Sequence, residues 1–355
     1  MVTLSSPTSA GGAMDDERIY VPLQSEELTA LDRDTGEVVW MRAIESAWPP
    51  VVHDGVVYLA ASDELHALSA SSGDTLWRAP LEPLAAPLVY DTGWLLAVVE
   101  PGDVVAMRAT DGHQVWRQSL GAAPRSHAVA GAENALYFTL ADGRVVSLNL
   151  SDGSKRWEQQ LPTMLSEPAT AEDRLFVGST DNFFYALDAD SGALQWKWRS
   201  GGDVIGSAAT DDVVFITSLD NIIRGVNRGN GNQRWRKATP SRPAIPPRAL
   251  PGVAIVTGID NSLTAFAART GEQVGTYVAP ADLQGPALID PVLRPYRVAA
   301  SVVMRDGRVA GLYPLAMLFR EQPVTPLTAL PGRVLQREQL SPRKPEPSKA
   351  EPSAK

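Results

Sequence analysis

Apolar and polar positions alternate along this chain with a period of two, in short runs broken by turn residues. In residues 28–40, LTALDRDTGEVVW, Leu28, Ala30 and Asp32 fall on one face and Thr29 and Leu31 on the other, the period that a β-strand requires. The run ends in Asp34-Thr35-Gly36, where glycine can take positive φ and reverse the chain into a hairpin. A second apolar run follows and ends on Trp40.

This unit recurs. It reads LHALSASSGDTLW at 65–77, VVAMRATDGHQVW at 104–116, VVSLNLSDGSKRW at 145–157, FYALDADSGALQW at 184–196, IIRGVNRGNGNQRW at 222–235 and LTAFAARTGEQVG at 263–275. Its turn glycines are Gly36, Gly73, Gly112, Gly153, Gly192, Gly231 and Gly271, spaced 37, 39, 41, 39, 39 and 40 residues apart. A period near 40 with four strands per unit marks a β-propeller.

Four residues after each of the first six glycines stands a tryptophan: Trp40, Trp77, Trp116, Trp157, Trp196 and Trp235. Ten residues before each Trp stands a small residue: Ala30, Ala67, Ala106, Ser147, Ala186 or Gly225. The pairing predicts an indole of one blade lying flat on backbone that a small residue exposes in the next. The seventh unit keeps Ala265 but carries Gly275 in place of Trp, so its docking contact is expected to be weak or absent.

Two further sets of turns set the blade count. One comprises Ser25-Glu26, Asp63-Glu64, Pro101-Gly102, Asp142-Gly143, Asp181-Asn182, Asp220-Asn221, Asp260-Asn261 and Asp306-Gly307. The other comprises Asp15-Asp16, Asp54-Gly55, Thr92-Gly93, Glu133-Asn134, Glu172-Asp173, Asp211-Asp212, Pro251-Gly252 and Asp290-Pro291. They predict an all-β, eight-bladed propeller of four-stranded antiparallel blades, with seven blades plus a cap as the alternative. The eighth unit, 285–322, is degenerate: YRVAASVVM and GRVAGLYP read as strands, and LAMLFRE (315–321) is a candidate outer strand. The short VTLS at 2–5 is a second candidate for the seam. The expected organisation is a single propeller over 1–330 and a disordered tail over 331–355, whose Pro, Ser, Ala and charged residues cannot bury enough apolar surface to order.

Composition narrows the function classes. Charged residues are 21% and net charge is −9, which argues against a phosphate-backbone partner because nucleic acids are bound through Lys and Arg. With no cysteine, disulfides, thiolate metal sites and thiol catalysis are excluded. No apolar stretch approaches the ~20 residues of a membrane span. The start, MVTLSSPTSAGGAMDDER, carries neither a basic n-region nor an apolar h-region, and no lipidation Cys is present.

The core ALDxxTGxxxW, present as ALDRDTGEVVW and ALDADSGALQW, resembles the PQQ-like (quinoprotein-type) β-propeller repeat. The likeness is good over about 15–277 and looser over 285–313. Its relatives include quinoprotein dehydrogenases, outer-membrane assembly factors of the BamB type and sensor domains. The layout of one undecorated ring is similar to the BamB type. That resemblance implies a non-catalytic, monomeric protein-binding scaffold with barrel-assembly components as partners, at the periplasmic face of the outer membrane. The missing export signal leaves the cytoplasm open. Two other readings are a PQQ-dependent dehydrogenase and a ligand-sensing module.

The dehydrogenase members hold their quinone beneath an adjacent-cysteine disulfide and beside calcium, and neither set of residues can be placed here. No cofactor, catalytic residue or metal ligand is therefore expected. His53, His66, His113 and His127 show no metal spacing, and the Asp-Asn pairs at 181, 220 and 260 read as turn chemistry, not as a calcium loop. The rim where inter-blade loops cluster is the expected binding surface. Its most irregular segment is TPSRPAIPPRALP at 239–251, with Arg242 and Arg248 as candidate partner contacts; the plain alternative is a stiff proline connection. Trp48, Trp94 and Trp198 lie outside the Trp register and are candidates for exposed contacts.

Overall fold

The computed structural model of the chain describes residues 1–162, 164–210, 212–289 and 300–312, and all regular structure among them is β-strand. Blade 1 is an antiparallel meander of Ala13–Met14, Arg18–Leu23, Glu27–Asp32 and Val38–Ala43, ordered from the axis outward. Blades 2 to 7 repeat it over 51–80, 89–119, 129–160, 169–199, 204–238 and 248–278. Blade 8 takes Leu288–Ile289, Ala300–Val303 and Arg308–Leu312, and its fourth, outer strand is Val2–Thr3. Val2 lies opposite Val309 and Thr3 opposite Arg308. The innermost strands of blades 1 and 8 meet, so the eight blades close into a ring and the seven-blade alternative does not hold.

The expected outer-strand candidate LAMLFRE and the tail 331–355 lie outside the described residues, as does Asp290-Pro291. The place in blade 8 is filled by the VTLS segment. Two turns are shifted by one residue from the expected pairs. Asp16 and Glu17 form the first of blade 1, closed by Asp15 N–H to Arg18 O at 3.0 Å. Ser62 and Asp63 form the second of blade 2, with Ser62 at φ 33°, so that Glu64 begins the next strand.

The period of two has a different physical meaning here from the usual core against water. Leu28, Thr29, Ala30 and Leu31 are all buried, because the second and third strands of a blade are covered on both faces. Leu28 and Ala30 pack with Val57 and Leu59 of blade 2. Leu31, on the opposite face, packs with Val303 and Val309 of blade 8. Alternate residues therefore address alternate neighbours.

Each docking Trp stands at the end of a row across its own sheet. Tyr20 is paired with Ala30 and Ala30 with Trp40, and the Tyr20 and Trp40 rings lie 5.8 Å apart. The same row is Tyr58, Ala67 and Trp77 in blade 2, and Tyr137, Ser147 and Trp157 in blade 4. The small residue is thus a cross-strand neighbour within the same blade, which corrects the expectation that it belongs to the next one. It leaves room over the middle strand for two aromatic rings to lean together. Gly225 shows how tight this is, since a Cβ there would lie 2.3 Å from Trp235.

The surface on which the indole rests is the turn glycine of the following blade. Gly192 has φ +71°, and a Cβ on it would fall 2.6 Å from Cε3 of Trp157; both conformation and contact demand glycine. The indole N–H groups then donate across the blade boundary: Trp40 to Ala70 O at 2.9 Å, Trp116 to Leu150 O at 2.7 Å, Trp157 to Ala189 O at 2.9 Å, Trp196 to Arg228 O at 3.1 Å and Trp235 to Ala268 O at 2.8 Å. Tyr137 Oη donates to the same Ala189 carbonyl at 3.0 Å. Gly275 carries no indole, and the sequence that follows Leu312 has no glycine at the corresponding place. At the seam, Val2 takes the place of the indole, with its Cβ 3.5 Å from where a Cβ on Gly36 would stand.

Candidate functional site

Strand direction sorts the turns onto two faces. The turns between first and second strands and the glycine turns share one face; the turns between second and third strands share the other with the inter-blade loops. On this loop face a repeated hydrogen bond ties the second strand to the loop before it in every blade but blade 2. Gln24 N–H donates to Pro7 O, Glu100 to Pro83 O, Ala141 to Ala123 O, Thr180 to Met164 O, Leu219 to Asp203 O, Ile259 to Arg242 O and Arg305 to Asp282 O. These residues therefore occupy equivalent places around the rim.

The side chains there are not equivalent. Gln24, Glu100, Thr180 and Arg305 are polar and Ala141 is small, whereas Leu219 and Ile259 are large, apolar and 40% and 64% exposed. Met164, the partner of Thr180, is 48% exposed. Blades 5, 6 and 7 thus carry an arc of three large apolar side chains in water, which turn chemistry alone does not call for. The other exposed large apolar side chains among the described residues, Met1 apart, stand on outer strands.

Of the two candidate contacts, Arg242 is exposed and its carbonyl holds the Ile259 backbone, which places it on the arc. Arg248 is also exposed but begins the inner strand of blade 7, opposite Ile255, and is not brought to the same place. Arg125 joins the arc from blade 4, its Nη1 3.7 Å from Met164 Sδ. The proline segment is a packed connection: Pro243 bridges Gly258, and Pro246 lies where a Cβ on Gly206 would be, 2.6 Å away.

Behind Leu219 the turn is anchored by charge. Arg224 is 5% exposed, forms an ion pair with Asp220, donates to Ser218 Oγ at 2.7 Å and lies 5.3 Å over the ring of Trp198. Burial pushes the Asp220 carboxyl up, but hydrogen bonds from Arg224 and Ser218 outweigh this and hold it below the ordinary carboxylate range. Trp198 is therefore occupied as a lid on Arg224. Trp94 is likewise half-buried against a core cluster, and neither is a free contact. The signal for the anchor was an Arg inside the apolar alternation IIRGVN, where the corresponding residues elsewhere are Thr29, Val105 or Val146.

The histidines are dispersed: His53 stacks on Tyr90 at 4.1 Å, and His66 is buried in blade 2. Among the described residues no three His, Asp or Glu side chains stand together as a metal cage. Asn182, Asn221 and Asn261 have φ of 64°, 58° and 63°, the left-handed turn geometry that Asn tolerates. No helix among the described residues is long and apolar enough to cross a membrane.

The family model described as outer membrane protein assembly factor BamB matches residues 2–66, 61–167 and 162–310. Among solved structures, BamB from Moraxella catarrhalis is 16% identical with a TM-score of 0.67, covering 87% of this chain and 96% of that one. The computationally designed Ika8 protein is 13% identical at TM-score 0.71, covering 86% and 97%. Sqt1 of Saccharomyces cerevisiae is 11% identical at TM-score 0.69, covering 87% and 96%. At these identities the structures share the fold alone. No curated protein matches the chain in sequence.

Proposed function

The chain belongs to the outer membrane protein assembly factor BamB family, and from that membership we propose that it is a non-catalytic propeller that holds a protein partner on its loop face. The observation that carries this reading is the arc of Met164, Leu219 and Ile259, large and exposed at rim positions where the other blades of the series carry polar residues, alanine or proline. Apolar side chains ringed by charge, here Arg125 and Arg242, suit the centre of a protein interface. The rigid Asp220–Arg224 anchor holds Leu219 in place before binding, which lowers the ordering cost of association. The partners proposed are barrel-assembly components, with the ring working at the periplasmic face of the outer membrane.

The test is photo-crosslinking in the native host, with a photoreactive residue at position 219 or 259 and, as control, at exposed Val115 on an outer strand. Adducts with barrel-assembly components from 219 and 259 but not from 115 are expected. Adducts absent from both, or equal at 115, overturn the assignment. Ile259→Asp is expected to weaken the captured complex by roughly 30-fold, the scale of an interface hot spot.

A further inference from the structure

Blade 2 differs from the rest on the loop face. In six blades the inter-blade loop makes a backbone bridge to the end of the second strand, as Leu84 does to Val99 and Pro243 to Gly258. In blade 6 the inner strand, Val204–Ala209, extends far enough to pair Val204 with Ser218. Blade 2 has neither. It is the shortest repeat, with 37 residues between Gly36 and Gly73, and its entering loop is tied by a side chain instead. Ser46 is 3% exposed; its Oγ lies 2.7 Å from Ala60 O and 2.9 Å from Trp48 O.

The missing bridge leaves a cavity of about 160 Å³ between this loop, the Ser62-Asp63 turn and the loop into blade 3. Its walls include Trp48, Leu81, Leu84, Glu45, Glu64 and Glu82, and no Lys or Arg. Glu82 is already held by both arms of Arg117, at 2.6 and 3.0 Å. Glu64 has only a distant cation, Arg78 at 3.9 Å, and His66 Nε2 at 3.5 Å. Glu45 has no ion pair among the described residues. Negative charge therefore exceeds positive at the cavity, and one wall is an indole.

Size and chemistry select the occupant. The cavity is well below the ~300–1,000 Å³ of cofactor and drug sites, yet holds the volume of several waters at ~30 Å³ each. An aliphatic stem suits Leu81 and Leu84, and a cationic head suits the Trp48 face and the unpaired Glu45 carboxylate. We propose that this cavity is a side-chain pocket for an arginine or lysine of a bound polypeptide. The inference deepens the reading of the loop face as a protein-binding surface and rests on it, because it supplies a charged specificity site across the ring from the apolar arc.

The experiment is titration of the full chain with N-acetyl-argininamide, N-acetyl-lysinamide and the neutral N-acetyl-norleucinamide, read by isothermal calorimetry and by tryptophan fluorescence at low salt. Saturable binding of a cationic probe in the ~millimolar range, as expected for a ligand of this size, with none for norleucinamide, supports the pocket. Trp48→Leu should weaken it by about three- to ten-fold, the range of a cation–π contact at a half-exposed site, and Glu45→Gln should weaken it while leaving the fold, read by near-ultraviolet dichroism, unchanged. No saturable binding of either cation, equal binding of norleucinamide, or undiminished affinity in both variants overturns the pocket. Crosslinking at 219 and 259 reads the apolar arc independently, so cation binding without adducts condemns the arc and leaves the pocket standing as a site for cationic side chains, while adducts without cation binding do the reverse.

Discussion

Trp157 is 8% exposed, sits on Gly192 and donates to Ala189 O. Trp157→Ala should therefore cost about 3–5 kcal/mol, as for other large-to-small core changes, measured as a fall in urea midpoint. His66 makes a pH prediction. Burial, reinforced by Arg78 and opposed by Glu64, holds its pKa below the ordinary histidine value, and Nδ1 has no hydrogen-bond partner among the described residues. The folded state resists a proton that the unfolded chain accepts near pH ~6.5. Stability is thus full above that pH and declines as pH falls from there through the folded-state value. Thr29 and Thr264 hold the equivalent position in blades 1 and 7; His66→Thr should flatten urea midpoints between pH 7.5 and 5. The Trp positions were legible in the sequence because their spacing repeats. The resting place of each indole was not, because one period apart and one strand apart look alike in a linear pattern.

At the scale of the element, the glycine turn is the joint between blades. Gly192→Ala forces a Cβ both into positive φ and into the Trp157 ring, so it should destabilise by more than the ~1 kcal/mol of a conformational penalty alone. Gly55→Ala is the control: φ is +75° but no atom lies within 4 Å, and chemical denaturation should show the smaller loss. The strands and hairpins themselves were readable from alternation and turn residues. The cavity in blade 2 was foreshadowed only by its 37-residue spacing, since a missing bridge leaves no residue type as its mark. The apolar arc was hidden for a related reason. Leu219 and Ile259 extend apolar strands, and only the hydrogen-bond pattern separates rim from core.

For the whole molecule, closure rests on a two-residue strand. Val2 packs with the cluster of Ile19, Val21, Val303 and Val309 and covers Gly36. Val2→Asp places a carboxylate in that seam, and amide exchange should quicken first in 308–312 and then in blade 1, while blades 4 and 5 keep their protection. Uniform loss of protection around the ring would show that closure is not a local event.

The pairing of Val2 with Val309 also imposes an order of assembly. Blades 1 to 7 each draw all four strands from one contiguous stretch of chain, so each can form as it is made. Blade 8 joins Val2 to Val309 across most of the chain, a contact of very high sequence separation that comes late and slowly. Until residues 308–309 arrive, the strand that will complete the circle has no partner, and the apolar face of blade 1 that carries Ile19, Val21 and Leu31 stands uncovered.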